Sequence, residues 1–87
     1  MEHGLADSAD QHRSWYIVES LKAVHQAIED GVDVRGYAHW SLIDNFEWAE
    51  GFGPRFGLVE IDYTKDKKRT LRESALRYAQ ICKNNAL

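Results

Sequence analysis

An α/β fold is expected from three features of this 87-residue sequence. One long stretch has helical periodicity, two shorter ones alternate, and the last opens with a helix-capping pattern. Residues 1–13, MEHGLADSADQHR, show no hydrophobic period and carry Gly4, Asp7, Ser8 and Asp10, so they read as a loop. From 14 to 31, Ile17, Leu21, Val24 and Ile28 fall on one face of a helix that Gly31 ends. Residues 34–43 alternate Val34, Gly36, Ala38, Trp40 and Leu42 with Arg35, Tyr37, His39 and Ser41, a strand pattern. The small residues Gly36 and Ala38 suggest that something approaches that side closely.

Residues 44–55 hold Asp44, Asn45, Gly51, Gly53 and Pro54, which is loop chemistry with room for one helical turn around 45–48. FGLVEIDY, 56–63, alternates again as a short strand, and TKDKK makes an exposed turn. A helix over 70–85 is predicted from a capping box, Thr70 with Glu73 three residues on; Leu71, Ala75, Tyr78, Ala79 and Cys82 share its face. The order is helix, strand, long loop, short strand, helix.

A chain of this length makes one domain and buries only about 60–65% of the surface its unfolded form exposes. The net charge of −3 is spread along the chain. With no basic stripe and no basic amphipathic helix, neither nucleic acid nor a membrane is an expected partner. Cys82 has no second cysteine to pair with. It fits a reducing compartment, and the first residues lack the pattern of a signal peptide, so a cytoplasmic location is expected. His12 and His25 have no zinc-ligand spacing, and the pair Asp44 and Glu47 lacks histidines, so no metal or other cofactor is expected.

HWSLIDNFEW, 39–48, gathers two tryptophans, a phenylalanine, a histidine and two acids in ten positions. Indoles and carboxylates are poor packing material because each brings a polar group in need of a partner. Aromatic faces beside acids and amides are suited to a sugar, whose C–H face stacks while its hydroxyls donate. Trp40, Trp48 and Phe56 are the stacking candidates; Asp44, Asn45 and Glu47 are the bonding ones. The residues alone also allow a small aromatic core with surface acids.

GYAHWSLIDNFEWAEGFGPRFGLVEIDY, 36–63, resembles the eighth barrel strand and following loop of glycoside hydrolase family 1, the β-glucosidases and related β-glycosidases. The helix at 14–31 is similar to the family's seventh barrel helix, and KKRTLRESALRYAQICKNNAL to its last. The resemblance implies a C-terminal fragment of a (β/α)₈ TIM barrel, roughly the last fifth of an enzyme whose barrel alone takes about 250 residues. MEHG resembles the family's Thr-Glu-Asn-Gly, which implies that Glu2 is the catalytic nucleophile; Met1 stands for the threonine and His3 for the asparagine. By the same resemblance Trp40 floors the sugar subsite, Glu47 binds outlying hydroxyls, Trp48 bonds or stacks the same sugar, and Phe56 sits at its edge. His39 and Asn45 are left as scaffold.

Retaining glycoside hydrolysis needs a second carboxyl group about 5–5.5 Å from the nucleophile. The family carries it on the fourth strand, in a motif with no counterpart here. The expectation is a fragment of a retaining β-glycosidase that is catalytically incomplete alone, with a β-glycoside or monosaccharide as ligand. It should self-associate or bind the remainder of a barrel. The alternatives are a non-catalytic carbohydrate-binding module and an oligomerising scaffold.

Overall fold

The structure, a computed structural model, describes residues 2–87. Helix α1 spans Arg13–Glu29, a single 3-10 turn covers Trp48–Glu50, strands β1 (Val59–Asp62) and β2 (Lys68–Leu71) form a hairpin, and helix α2 spans Glu73–Asn84. The helices pack side by side around Ile17, Leu58 and Ile81, with Val18, Leu21, Ala75 and Tyr78 against them. The radius of gyration is 14.1 Å, against about 12 Å for a compact domain of this length. That excess matches the exposure of Trp15, Leu42, Phe46, Trp48, Leu71 and Leu76, large apolar side chains left without cover.

Helix α1 packs Ile17 and Leu21 of its predicted face, joined by Val18, while Ile28 is exposed, and Gly31 at φ 93° turns the chain where an L side chain would be strained. The stretch 34–43 is where sequence pattern and structure part. It forms no continuous strand; it makes isolated parallel bridges, His3 to His39 and Ile43 to Val59. A parallel strand is built by a run of evenly spaced hydrogen bonds to a neighbour. Here one edge is served by a few residues around His3 and the other by 56–59, through Ser41 N to Phe56 O (3.0 Å), Leu58 N to Ser41 O (3.0 Å) and Val59 N to Leu42 O (2.9 Å). The alternation itself survives. Tyr37, His39, Ser41 and Ile43 turn towards the helices, while Ala38, Trp40 and Leu42 face the open side. Close approach occurs at Gly4, where a Cβ would overlap the Trp40 carbonyl, and at Gly57, where it would overlap Asp44; Gly36 has open space.

The second strand is shorter than 56–63, and β2 occupies residues assigned from sequence to the start of the last helix. Thr70 pairs with Glu60 across the hairpin, so the Thr70–Glu73 capping box does not form. The amide and hydroxyl of Ser74 instead donate to Asp10, at 3.0 and 2.6 Å, so the first turn of α2 is capped from 64 residues away in sequence. With the helix beginning at Glu73, its packed face is Ser74, Ala75, Tyr78 and Ile81; Leu71 and Cys82 are exposed.

The hairpin closes through Lys68 N to Lys65 O at 3.1 Å, with Asp66 at φ 53° and Lys67 at φ 58°. Two consecutive left-handed residues define a type I′ turn, which favours glycine at the second position. Lys67→Gly should therefore raise the urea midpoint of unfolding by the equivalent of about 0.5–1 kcal/mol. An unchanged or lower midpoint would argue against this turn.

Candidate functional site

The site is built on two short backbone pairings. The His3 amide donates to Ala38 O and the Trp40 amide to His3 O, both at 3.0 Å, so 2–4 run parallel beside 38–40. Paired residues of parallel strands point the same way and neighbours alternate. His3 turns to the helices, where its ring stacks on Tyr16 of α1. Glu2 therefore lies on the opposite face, the face that carries Trp40. Glu2 is exposed, and no partner for its carboxylate is found among the described residues.

The segment bearing Glu2 is tied down further along. Arg13, fully buried, donates to Asp7 O (2.7 Å), Leu5 O (3.2 Å) and Arg55 O (2.7 Å), and pairs with Asp10 at 2.5 Å. Asp7 N donates to Arg55 O at 2.9 Å. Of the loop expected at 1–13, Met1 lies outside the described residues, Arg13 begins α1, and the stretch between is held as a strap against both helices.

Trp40 and Glu47 meet directly: the indole Nε1 donates to Glu47 Oε1 at 2.8 Å. The turn after Glu47 is shaped by Glu47 N to Gly51 O (2.7 Å) and Gly51 N to Trp48 O (3.0 Å), with Gly51 at φ 65°. Asn45 Nδ2 donates to Ser41 Oγ (3.3 Å) and Ile43 O (3.0 Å), and the Phe46, Phe52 and Tyr63 rings pack in series at 5.3 and 4.7 Å. The loop folds back because its own side chains hold it, and Glu47 is thereby returned to Trp40. The Trp40–Ser41 peptide bond is cis.

Phe56 is partly buried, its carbonyl paired with Ser41. Trp48 stands apart: it is 85% exposed at φ 49° and makes no contact with Trp40 or Glu47 among the recorded hydrogen bonds and ring contacts of the described residues.

Asp44, a sugar-bonding candidate by composition, is withdrawn from solvent. Its carboxylate accepts from the amides of Gly57 (3.0 Å) and Ile61 (3.2 Å), from Arg72 Nη1 and Nη2 (2.9 and 3.1 Å) and from Arg55 Nη1 (3.2 Å). Arg55 lies over Tyr63, 5.0 Å from the ring centre, and the Tyr63 hydroxyl donates to Asp44 O at 2.9 Å. Burial alone would push the Asp44 carboxyl up, but Arg72 and the two amides outweigh it and hold the group below its ordinary range. Asp44 joins the long loop, β1 and the start of α2; nothing in its residue type or spacing separates that role from sugar binding.

The larger hollows lie elsewhere. One of about 550 Å³ runs along α1, beside Trp15, Tyr16 and Tyr37; another of about 620 Å³ lies between the ends of the helices, beside Leu21, Ile28 and Ile81. Their walls are apolar, whereas the polar chemistry is gathered around Trp40.

The model for glycosyl hydrolase family 1 matches residues 1–87. The chain belongs to glycosyl hydrolase family 1. It is 51% identical over 87 residues to a β-galactosidase of Sulfolobus acidocaldarius, covering all of this chain and 18% of that protein. It is 45% identical over 83 residues to a chloroplastic galactolipid galactosyltransferase of Arabidopsis thaliana, covering 95% of this chain and 13% of that one. The crystal structure of the β-glucosidase of Pyrococcus furiosus superposes with a TM-score of 0.96 at 53% identity, over the whole of this chain and 18% of that chain. The 87 residues thus span less than a fifth of these family 1 proteins. The superposition makes them one sector of the family's (β/α)₈ barrel.

Proposed function

We propose that these residues are the nucleophile-bearing and sugar-gripping sector of a retaining β-glycosidase, which hydrolyses β-glycosidic bonds once the barrel is complete. The observation that carries this reading is the Trp40–Glu47 hydrogen bond, 2.8 Å long, on the same face as Glu2. An indole whose N–H is held by a carboxylate keeps its ring fixed for stacking, and the second oxygen of Glu47 is left to accept from a sugar hydroxyl. Phe56 borders the subsite. Trp48 reaches it by a movement of its exposed 3-10 turn.

In this mechanism Glu2 attacks the anomeric carbon while a second carboxyl group protonates the departing oxygen. Asp44 and Asp10 are engaged by arginines and backbone or hydroxyl donors, and Glu47 is committed to Trp40. The family resemblance puts the proton donor on the barrel's fourth strand, outside these residues, so the sector alone binds without cleaving. The relatives' names include β-galactosidase, β-glucosidase and a galactolipid galactosyltransferase, so the substrate is proposed only as a β-glycoside. The exposed apolar side chains and the two apolar hollows fit the walls of the remaining barrel.

An aryl β-glucoside assay tests this. The chain alone should release no aglycone, and adding a family 1 barrel truncated of the matching sector should restore release. In the restored enzyme Glu47→Ala should raise KM about 10- to 100-fold, the worth of one or two hydrogen bonds to a charged group. Turnover by the chain alone would contradict its incompleteness. A stable oligomer that binds sugar and never complements would favour a scaffold.

A further inference from the structure

We infer that His3 and Tyr16 form a positioning pair for Glu2, an inference that rests on the reading of Glu2 as nucleophile. The carboxylate of Glu2 has no partner of its own among the described residues, so its placement depends on the backbone that presents it. His3, the next residue, is exposed but held by its backbone and by one ring nitrogen. Its amide and carbonyl are bonded to Ala38 and Trp40 at 3.0 Å. Its ring lies flat on Tyr16, with centroids 4.8 Å apart and planes 7° apart, and the Tyr16 hydroxyl is 2.9 Å from Nε2. Tyr37 closes the third side edge-on, at 6.2 Å.

Tyr16 lies in α1, whose neighbouring Ile17 is fully buried in the core. The pair therefore links a rigid helix to the residue beside the attacking group, through a side chain that points away from the sugar face. Alternation makes this effective: clamping His3 on one face fixes the direction in which Glu2 leaves the other. A displacement of about 1 Å at a reacting group can cost on the order of 100-fold in rate. His3 and Tyr16 touch no substrate, so their effect belongs to kcat.

The test is a double-mutant cycle in the complete, active enzyme, with aryl β-glucoside turnover, KM and thermal midpoint measured together. His3→Ala should lower kcat about 10- to 100-fold with KM changed less than about three-fold, and Tyr16→Ala should do the same. The double variant should be no worse than the poorer single one, because the two act as a unit. His3→Phe, which keeps the stacked ring without Nε2, should recover part of the loss. Equal kcat in wild type and both single variants, or a loss that follows only the thermal midpoint, would overturn the pair's role. Glu2→Gln is run beside them: if it retains wild-type turnover, the nucleophile assignment fails, whereas if it is inactive and His3→Ala is not, only the positioning inference fails.

Discussion

Asp44→Ala is expected to unfold this sector. The carboxylate is fully buried and satisfies two backbone amides and two guanidinium groups at once. Removing one side of a buried ion pair costs about 3–5 kcal/mol, because the remaining charge stays desolvated and unpaired. Arg72 bears most of that cost, being nearly as buried as Asp44, while Arg55 is partly open to water and counts for less. Exchanging Asp44 and Arg72 together for apolar residues should not restore stability, since the Gly57 and Ile61 amides would still lose their acceptor. Urea titration followed by tryptophan fluorescence should show the transition of Asp44→Ala displaced to much lower denaturant or lost; a midpoint within about 1 kcal/mol of wild type would contradict the role assigned to Asp44.

The same site sets an acid limit. Asp44 and Asp10 both have native pKa values below their ordinary range. For Asp10, burial raises the value and the Ser74 and Arg13 contacts outweigh it. A group depressed in the native state contributes stability that is complete above its unfolded value, about 4, and is lost as the pH falls through the lower native value. Stability should begin to decline as the pH falls below about 6.5, because burial keeps the native His39 from taking the proton its unfolded form takes, and should fall more steeply below 4 as Asp44 and Asp10 are lost. That acid fall should be shallower in Asp10→Asn.

The second large effect is expected at Glu2. In the complete enzyme Glu2→Gln should lower kcat on the order of 10⁴-fold or more, because an amide cannot form the glycosyl ester on which retention depends. Tryptophan quenching by a monosaccharide should be retained, since Trp40 and Glu47 are untouched. Quenching lost together with turnover would mean that Glu2 holds the loop in place rather than attacking sugar.

What the sequence made legible follows the range of the interactions. The apolar face of α1, the Lys-rich turn and the loop at 44–55 depend on neighbours a few residues apart, and local pattern was enough for them. The covered side of 34–43 could not be read, because Trp40 and Leu42 look like packing residues while Tyr37 and His39 do not. Only the position of the helices shows that Tyr37, His39 and Ser41 point towards them and that Trp40 and Leu42 point to the open side. The capping box at Thr70 was a sound local pattern that lost to the hairpin: pairing with Glu60 engaged its backbone, and Asp10 arrived from far away in sequence to take the Ser74 donors. Asp44, Asn45 and Glu47 look alike as polar residues of one aromatic loop, yet the first is buried among arginines, the second braces the turn, and the third meets Trp40. Burial and partners separate them: Arg55 and Arg72 for Asp44, Ser41 and Ile43 for Asn45, Trp40 for Glu47.

The central claim is that Glu2 is presented, beside Trp40, as the atom that takes the sugar. Peptide mapping by mass spectrometry, after the complete enzyme has reacted with a 2-deoxy-2-fluoro-β-glycoside bearing an activated leaving group, tests it most directly. The account predicts one fluoroglycosyl ester on the peptide containing Glu2, formed in step with loss of activity. An ester on another carboxylate, or full inactivation with this peptide unmodified, would contradict it.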